Sequence, residues 1–136
     1  MVLEISDRPA LANLSSGPYL IQEITRLVEI LKDNTAQRED RMSAAWELSQ
    51  KATYLAHYPK ERTKAVEALR VVVEETYTDW ELVWACTEAL GYVALDDKTL
   101  AMLKERARKL EDLDLRFITT SALERMIKRR ACELVG

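Results

Sequence analysis

The stretch Thr78–Val93, TDWELVWACTEALGYV, reads as one amphipathic helix with a marked start and a marked end. Thr78 and Glu81 have capping-box spacing, in which a hydroxyl accepts from a free backbone N–H and a carboxylate reaches back. Asp79 and Glu81 put negative charge at the positive end of the helix dipole. Leu82, Val83, Cys86, Ala89, Leu90 and Val93 recur at three- and four-residue steps and make one buried stripe. Gly91 lies near the end, where its size permits close packing or a helix exit. Trp80, Trp84, Glu88 and Tyr92 fall mostly off the stripe. Two other stretches, Glu39–Ser49 and Asp114–Ile127, are worn copies of this pattern.

The rest of the chain sorts into helices around these three. Pro18 suits a first helical turn, where its missing N–H is harmless. Helix one then spans Pro18–Asp33, with Leu20, Ile24, Leu27, Val28 and Leu31 apolar. Asn34 offers a cap, with Gln37 at the reciprocal position. Helix two spans Ala36–His57 over Met42, Ala45, Leu48, Ala52 and Leu55, and Tyr58-Pro59 ends it. Helix three, Pro59–Thr76, carries Val66, Leu69, Val72 and Val73, and needs packing because valine is a mediocre helix former. Helix four is the opening stretch. Asp96-Asp97 caps helix five, Asp97–Lys109, with Leu100, Leu103, Ala107 and Leu110 in register. Helix six runs from Asp112 to Glu133 over Leu115, Ile118, Ala122, Leu123, Met126 and Ile127. Its Lys128, Arg129 and Arg130 complement the negative end of that helix. Short links force antiparallel neighbours, so the six helices fall into three hairpins. Met1–Gly17, punctuated by Pro9 and Ser15-Ser16-Gly17, is an irregular leader or arm, and residues 18–136 form the domain.

The second helices align on Leu48, Leu90 and Leu123, which are 42 and 33 residues apart. Six residues before each leucine stand Met42, Trp84 and Phe117, all large and apolar. Three before stand Ala45, Thr87 and Thr120, all small enough for close helix approach. Seven before stand Arg41, Val83 and Arg116. These spacings suit an array of helical hairpins. A plain six-helix bundle is the competing arrangement.

The carrying residues are Asp79–Val93 with its ALGYV ending, Arg41–Leu48 (RMSAAWEL) and Asp114–Leu123 (DLRFITTSAL). On them the chain resembles the HEAT-like family of helical repeats over Pro18–Glu133. In that family an acidic residue, a Val-Arg pair, alanines and Ala-Leu-Gly mark the second helix. Here the arginine survives at Arg41 and Arg116 and the Ala-Leu-Gly only at Ala89-Leu90-Gly91. The resemblance implies an all-α fold, a short right-handed α-solenoid of three antiparallel hairpins whose second helices line an inner surface. It implies no single activity. Family members serve as scaffolds and adaptors, some bind DNA through basic inner surfaces, and some are partners of tetrapyrrole-attaching enzymes.

Composition narrows the function classes. The chain has 136 residues, enough for one domain, and three glycines and three prolines, too few for many short strands. No stretch approaches the roughly 20 apolar residues of a membrane span, and the amino terminus lacks a signal pattern, so a cytoplasmic home is expected. Cys86 and Cys132 make no disulfide framework, and Cys86 sits on the apolar stripe as a small buried side chain. Net charge is −3, but its layout is polar. Val71–Asp97 holds no Lys or Arg against seven acids, whereas Lys98 onward holds ten Lys/Arg against six acids.

Chemistry is sparse. His57 is the sole histidine and sits at a helix end, so neither a triad nor a metal cage can be built on it. Glu74-Glu75 and Asp96-Asp97 are adjacent in sequence, and adjacent helical residues do not face each other. No phosphate loop or Cys-x-x-Cys is present. A non-enzymatic chain with no cofactor or metal is the expectation. The aromatic set is more informative. Trp46, Tyr54, Trp80, Trp84 and Tyr92 lie on second helices among Glu47, Glu81 and Glu88, an acidic-aromatic surface suited to a basic peptide or protein. Trp46 and Trp84 serve equally well as packing residues. The alternative is nucleic-acid binding through the basic last hairpin, with Lys104, Arg108, Arg125, Lys128 and Arg129 reaching phosphates. An array also has two open ends. An apolar end would pair with a twin or a longer protein, unless the leader, with Val2, Leu3, Ile5, Leu11 and Leu14, covers it.

Overall fold

The computed structural model describes the backbone of residues 16–135 and the side chains of residues 19–133. Among these residues all regular structure is helical: α1 (Ser16–Lys32), α2 (Arg38–Gln50), α3 (Ala52–Leu55), α4 (Pro59–Glu75), α5 (Trp80–Val93), α6 (Asp97–Lys109) and α7 (Leu113–Val135). The leader expected over Met1–Gly17 lies outside the described residues up to Ser15, while Ser16 and Gly17 already belong to α1. No described helix is long and apolar enough to cross a membrane.

The contacts radiate from α5, which packs against α2, α4 and α7. In addition α1 packs on α2 and α4, and α6 on α7. Eight residues of α5 are buried: Leu82, Val83, Cys86, Thr87, Ala89, Leu90, Gly91 and Val93. Full burial of each Leu or Val contributes about 1.5–3 kcal/mol, so this one helix anchors much of the core. Gly91 permits the α5–α7 approach. A Cβ built there would stand 2.8 Å from the Cα of Ala122, and α5 runs on through it to Val93 with no positive-φ residue. Of the two uses expected for this glycine, close packing is the one found.

The helix starts follow one register. Asp79 caps α5 by accepting from the Leu82 N–H at 3.2 Å, and Asp112 caps α7 by accepting from the Leu115 N–H at 3.0 Å. Gln37 holds the same place before α2, without a side-chain bond. All three precede their anchor leucine, Leu48, Leu90 or Leu123, by eleven residues. Between hairpins, Asp96 caps α6 by accepting from Thr99 N–H at 2.9 Å, as expected. Two expected caps are corrected. Thr78 lies outside α5, because the Asp79 carboxylate, braced by Arg38, is the stronger acceptor. Asn34 caps nothing in the structure described, and Asp33 instead accepts from the N–H and hydroxyl of Thr35 in a side-chain turn.

The arginines shared by the first and last hairpins do the same work. Arg41 donates to the Leu31 carbonyl at 2.7 and 3.2 Å, closing the end of α1. Arg116 donates to the Leu110 carbonyl at 2.7 and 2.9 Å, closing the end of α6. Each guanidinium satisfies a helix-terminal C=O left over by the chain turn. Val83 has no donor for the middle hairpin. The expected helix two is broken at Lys51, whose N–H is shared between the carbonyls of Glu47 and Leu48, and its last turn is α3.

The expected core is largely found. All five apolar positions of α1, the four valine and leucine positions of α4 and all six of α5 are buried. Ile127 is the clearest departure: expected on the apolar face of α7, it is exposed.

Candidate functional site

Trp80, Trp84, Glu88 and Tyr92 follow one another at four-residue steps, so they run as a stripe along one side of α5. Its other sides are taken by α2, α4 and α7. Trp80 is 53% exposed and Tyr92 is also exposed, while Trp84 is half-buried. The Trp80 and Trp84 rings meet edge to face, with centroids 6.1 Å apart and planes at 75°. Such a pair contributes about 0.5–1.5 kcal/mol beyond burial and fixes both rings. Trp46, on α2, is 61% exposed, and Tyr54, on α3, is exposed as well. Thus Trp46 lies on the surface, and Trp84 lies between surface and core.

The acids of this region differ from each other. Glu81 and Asp79 both hold the Arg38 guanidinium, Asp79 at 2.8 and 3.0 Å. That pairing holds the Asp79 carboxyl below the usual carboxylate range and raises Arg38. Glu47 lies 3.9 Å from Arg26 of α1. Glu88 has no ion-pair partner among the described residues and stands between Trp84 and Tyr92 in sequence order along the stripe. The surface is therefore more aromatic and less acidic than composition implies.

At the far end of the stripe, the Arg125 guanidinium lies 4.2 Å from the Tyr92 ring centroid, a cation–π contact joining α7 to α5. Arg129 donates to the carbonyls of Gly91 (2.8 and 3.1 Å) and Ala94. Burial pushes its pKa down from the ordinary arginine value. Arg130 donates to the Leu95 carbonyl at 3.1 Å and to Asp97 at 2.8 Å. Arg129 thus serves the carboxyl end of α5, a neighbour, and Arg130 the link beyond it. Arg108 is bonded to Glu105 at 2.7 Å. Of the five residues expected to reach phosphates, Lys104 and Lys128 remain exposed without a carboxylate or carbonyl partner among the described residues.

Two side chains escaped the sequence reading. Arg38 neutralises part of the acidic surface, and nothing in its spacing signals a contact 41 residues away. Phe117 shares the register of Met42 and Trp84 yet is exposed, and that register was the available signal. His57 is exposed at the α3–α4 link. The described residues hold no group of three metal-ligating side chains. A groove of ≈ 640 Å³ lies between α1 and α4. Its lining mixes the acids Glu29, Glu61, Glu67 and Glu75 with the bases Lys32, Arg41 and Lys64, so it selects neither sign of charge strongly.

Comparison with family models, with curated proteins and with solved structures returns no match to this chain.

Proposed function

We propose that the chain is a non-enzymatic protein-interaction module, a short HEAT-like solenoid of three hairpins that works in the cytoplasm. What supports the array is contact order: α2 packs on α5 and α5 on α7, with equal cap-to-leucine spacing in all three. In this reading α2, α5 and α7 make the binding wall and α1, α4 and α6 the outer layer. The single observation that carries the functional reading is the exposure of Trp46, Trp80 and Tyr92 on those inner helices. Large aromatics left in water are costly to a monomer and are the residue types that dominate binding energy when a partner covers them. Glu88 supplies the charge that favours a basic, partly apolar peptide.

The nucleic-acid alternative rests on five side chains, of which Arg108, Arg125 and Arg129 are occupied by Glu105, Tyr92 and backbone carbonyls. An acidic middle hairpin would also repel a strand laid along the array.

The test is a synthetic peptide array in which Lys/Arg alternate with aliphatic residues, read by tryptophan emission. The double variant Trp80→Ala/Glu88→Ala should weaken the best binder by about tenfold or more, the scale of a hot-spot loss. Far-UV circular dichroism should be unchanged. Equal affinity of variant and wild type would reject the surface.

A further inference from the structure

The exposed large hydrophobics of α7 are ordered. Leu113 is 74%, Phe117 67% and Ile127 46% exposed. With Thr120, Glu124 and Ala131 they recur at alternating four- and three-residue steps: 113, 117, 120, 124, 127, 131. That seven-residue period is the seam of a coiled coil. The opposite side of the helix, carrying Ile118, Thr119, Ala122 and Met126, is the buried one and packs into the fold. So α7 has two faces, one used and one without a partner among the described residues. The first described helix differs. The exposed positions of α1 are Gln22, Thr25, Arg26, Glu29 and Lys32, with Tyr19 its one large exposed hydrophobic among the described residues.

We propose that the α7 seam pairs antiparallel with the same seam of a second copy of this chain, giving a twofold dimer. The seam is self-complementary about residue 122. Antiparallel pairing sets Leu113 against the partner's Ala131, Phe117 against the partner's Ile127, and Thr120 against the partner's Glu124. Large meets small, ring meets branched aliphatic, and a hydroxyl donates to a carboxylate. A parallel pair would set Glu124 against itself and crowd Phe117 on Phe117, so orientation follows from the sequence of the seam. Polar residues within a seam fix register in this way. Along one flank Asp114 meets the partner's Lys128, and symmetry makes the contact twice. On the other flank Leu123, half-buried, sits at the twofold axis, and Arg116 and Arg130 are already held by Leu110 and by Leu95 and Asp97. A closed twofold contact uses one patch on both copies and leaves no sticky end. The seam lies on the third helix of the proposed binding wall but uses none of the α5 residues Trp80, Trp84, Glu88 and Tyr92 that carry the peptide surface.

Light scattering on the full chain tests it. The mass should rise from 15.6 kDa toward twice that value as concentration goes from about 1 to about 200 µM, the range of a small interface. Asp114→Lys or Lys128→Asp alone should weaken the dimer by about tenfold through two like-charge contacts. The combined exchange Asp114→Lys/Lys128→Asp should restore it. These residues are 14 positions apart on one helix, about 21 Å, and cannot meet within a chain. Rescue therefore requires a second copy in the antiparallel register. Phe117→Glu should abolish the dimer with circular dichroism unchanged. A mass that stays at 15.6 kDa throughout, a dimer indifferent to Phe117→Glu, or an exchange that fails to rescue would each overturn the proposal.

Discussion

Replacing Gly91 with alanine measures how closely α5 and α7 are pressed together. In a solvent-facing helix the change would stabilise by about 1 kcal/mol, because alanine is the better helix former. Here the new methyl would meet the Ala122 Cα at 2.8 Å, the Ala122 Cβ at 3.0 Å and the Arg125 Nη1 at 3.0 Å. Carbon atoms prefer separations of about 3.5–4.0 Å, so α7 must retreat by roughly 0.7 Å. The closest atom is backbone, and no rotamer change relieves it. Overpacking of this kind costs about 1–3 kcal/mol. The retreat also stretches the Arg129 bonds to the Gly91 carbonyl, and weakening a charge-assisted bond adds about 1 kcal/mol. Subtracting the propensity gain leaves a net loss of about 1–3 kcal/mol. For 136 residues the unfolding entropy is about 0.29 kcal/mol/K, so Tm should fall by about 3–10 °C. Scanning calorimetry and urea titration give the number directly. A Gly91→Ala chain as stable as wild type, or more so, would mean that the two helices do not meet at this point. The continuous packing of second helices would then be wrong.

Two further outcomes follow from single groups. The Arg38 guanidinium beside Asp79 holds its carboxyl below the unfolded value, so the unfolded chain takes up the proton first as pH falls. The stability it supplies is whole above about pH 4 and is lost as pH descends through the folded pKa. Asp79→Asn should therefore lower Tm at pH 7 and narrow the gap from wild type in acid titration, and parallel pH profiles would refute the pairing. Burial pushes the Cys86 thiol up to about 12, while Cys132 is exposed. A maleimide should thus add once to the native chain, at Cys132, and a second time only in denaturant. Fast labelling of Cys86 in the native state would contradict a closed core around α5.

How much of this was legible depended on range. The stripes of α1, α4 and α5 were readable because burial imposes a local period, and residues three and four apart must share a face. The caps of α5 and α6 are readable to within one residue, and that of α2 only to within three, Gln37 standing where Asn34 was expected. The competition between Thr78 and Asp79 was not, because Arg38, 41 residues away, decides it. The break at Lys51 has no glycine or proline to announce it. The site is legible as an aromatic set but not as a charge distribution: Glu81 and Glu47 read as free acids in the sequence, and only the fold brings Arg38 and Arg26 beside them.

By itself the sequence determined that the chain is helical, where the helices lie, and which stripe of each is apolar, since these follow from contacts within four residues. The tertiary structure decided what each cation serves. Arg41 and Arg116 close the ends of their own hairpins, and Arg129 and Arg130 reach to the end of α5 and the link beyond it. It also decided that Ile127 and Phe117, apolar by pattern, face outward. Hydrophobicity says that a side chain seeks cover. Which neighbour provides that cover is a matter of long-range geometry, which no local period encodes.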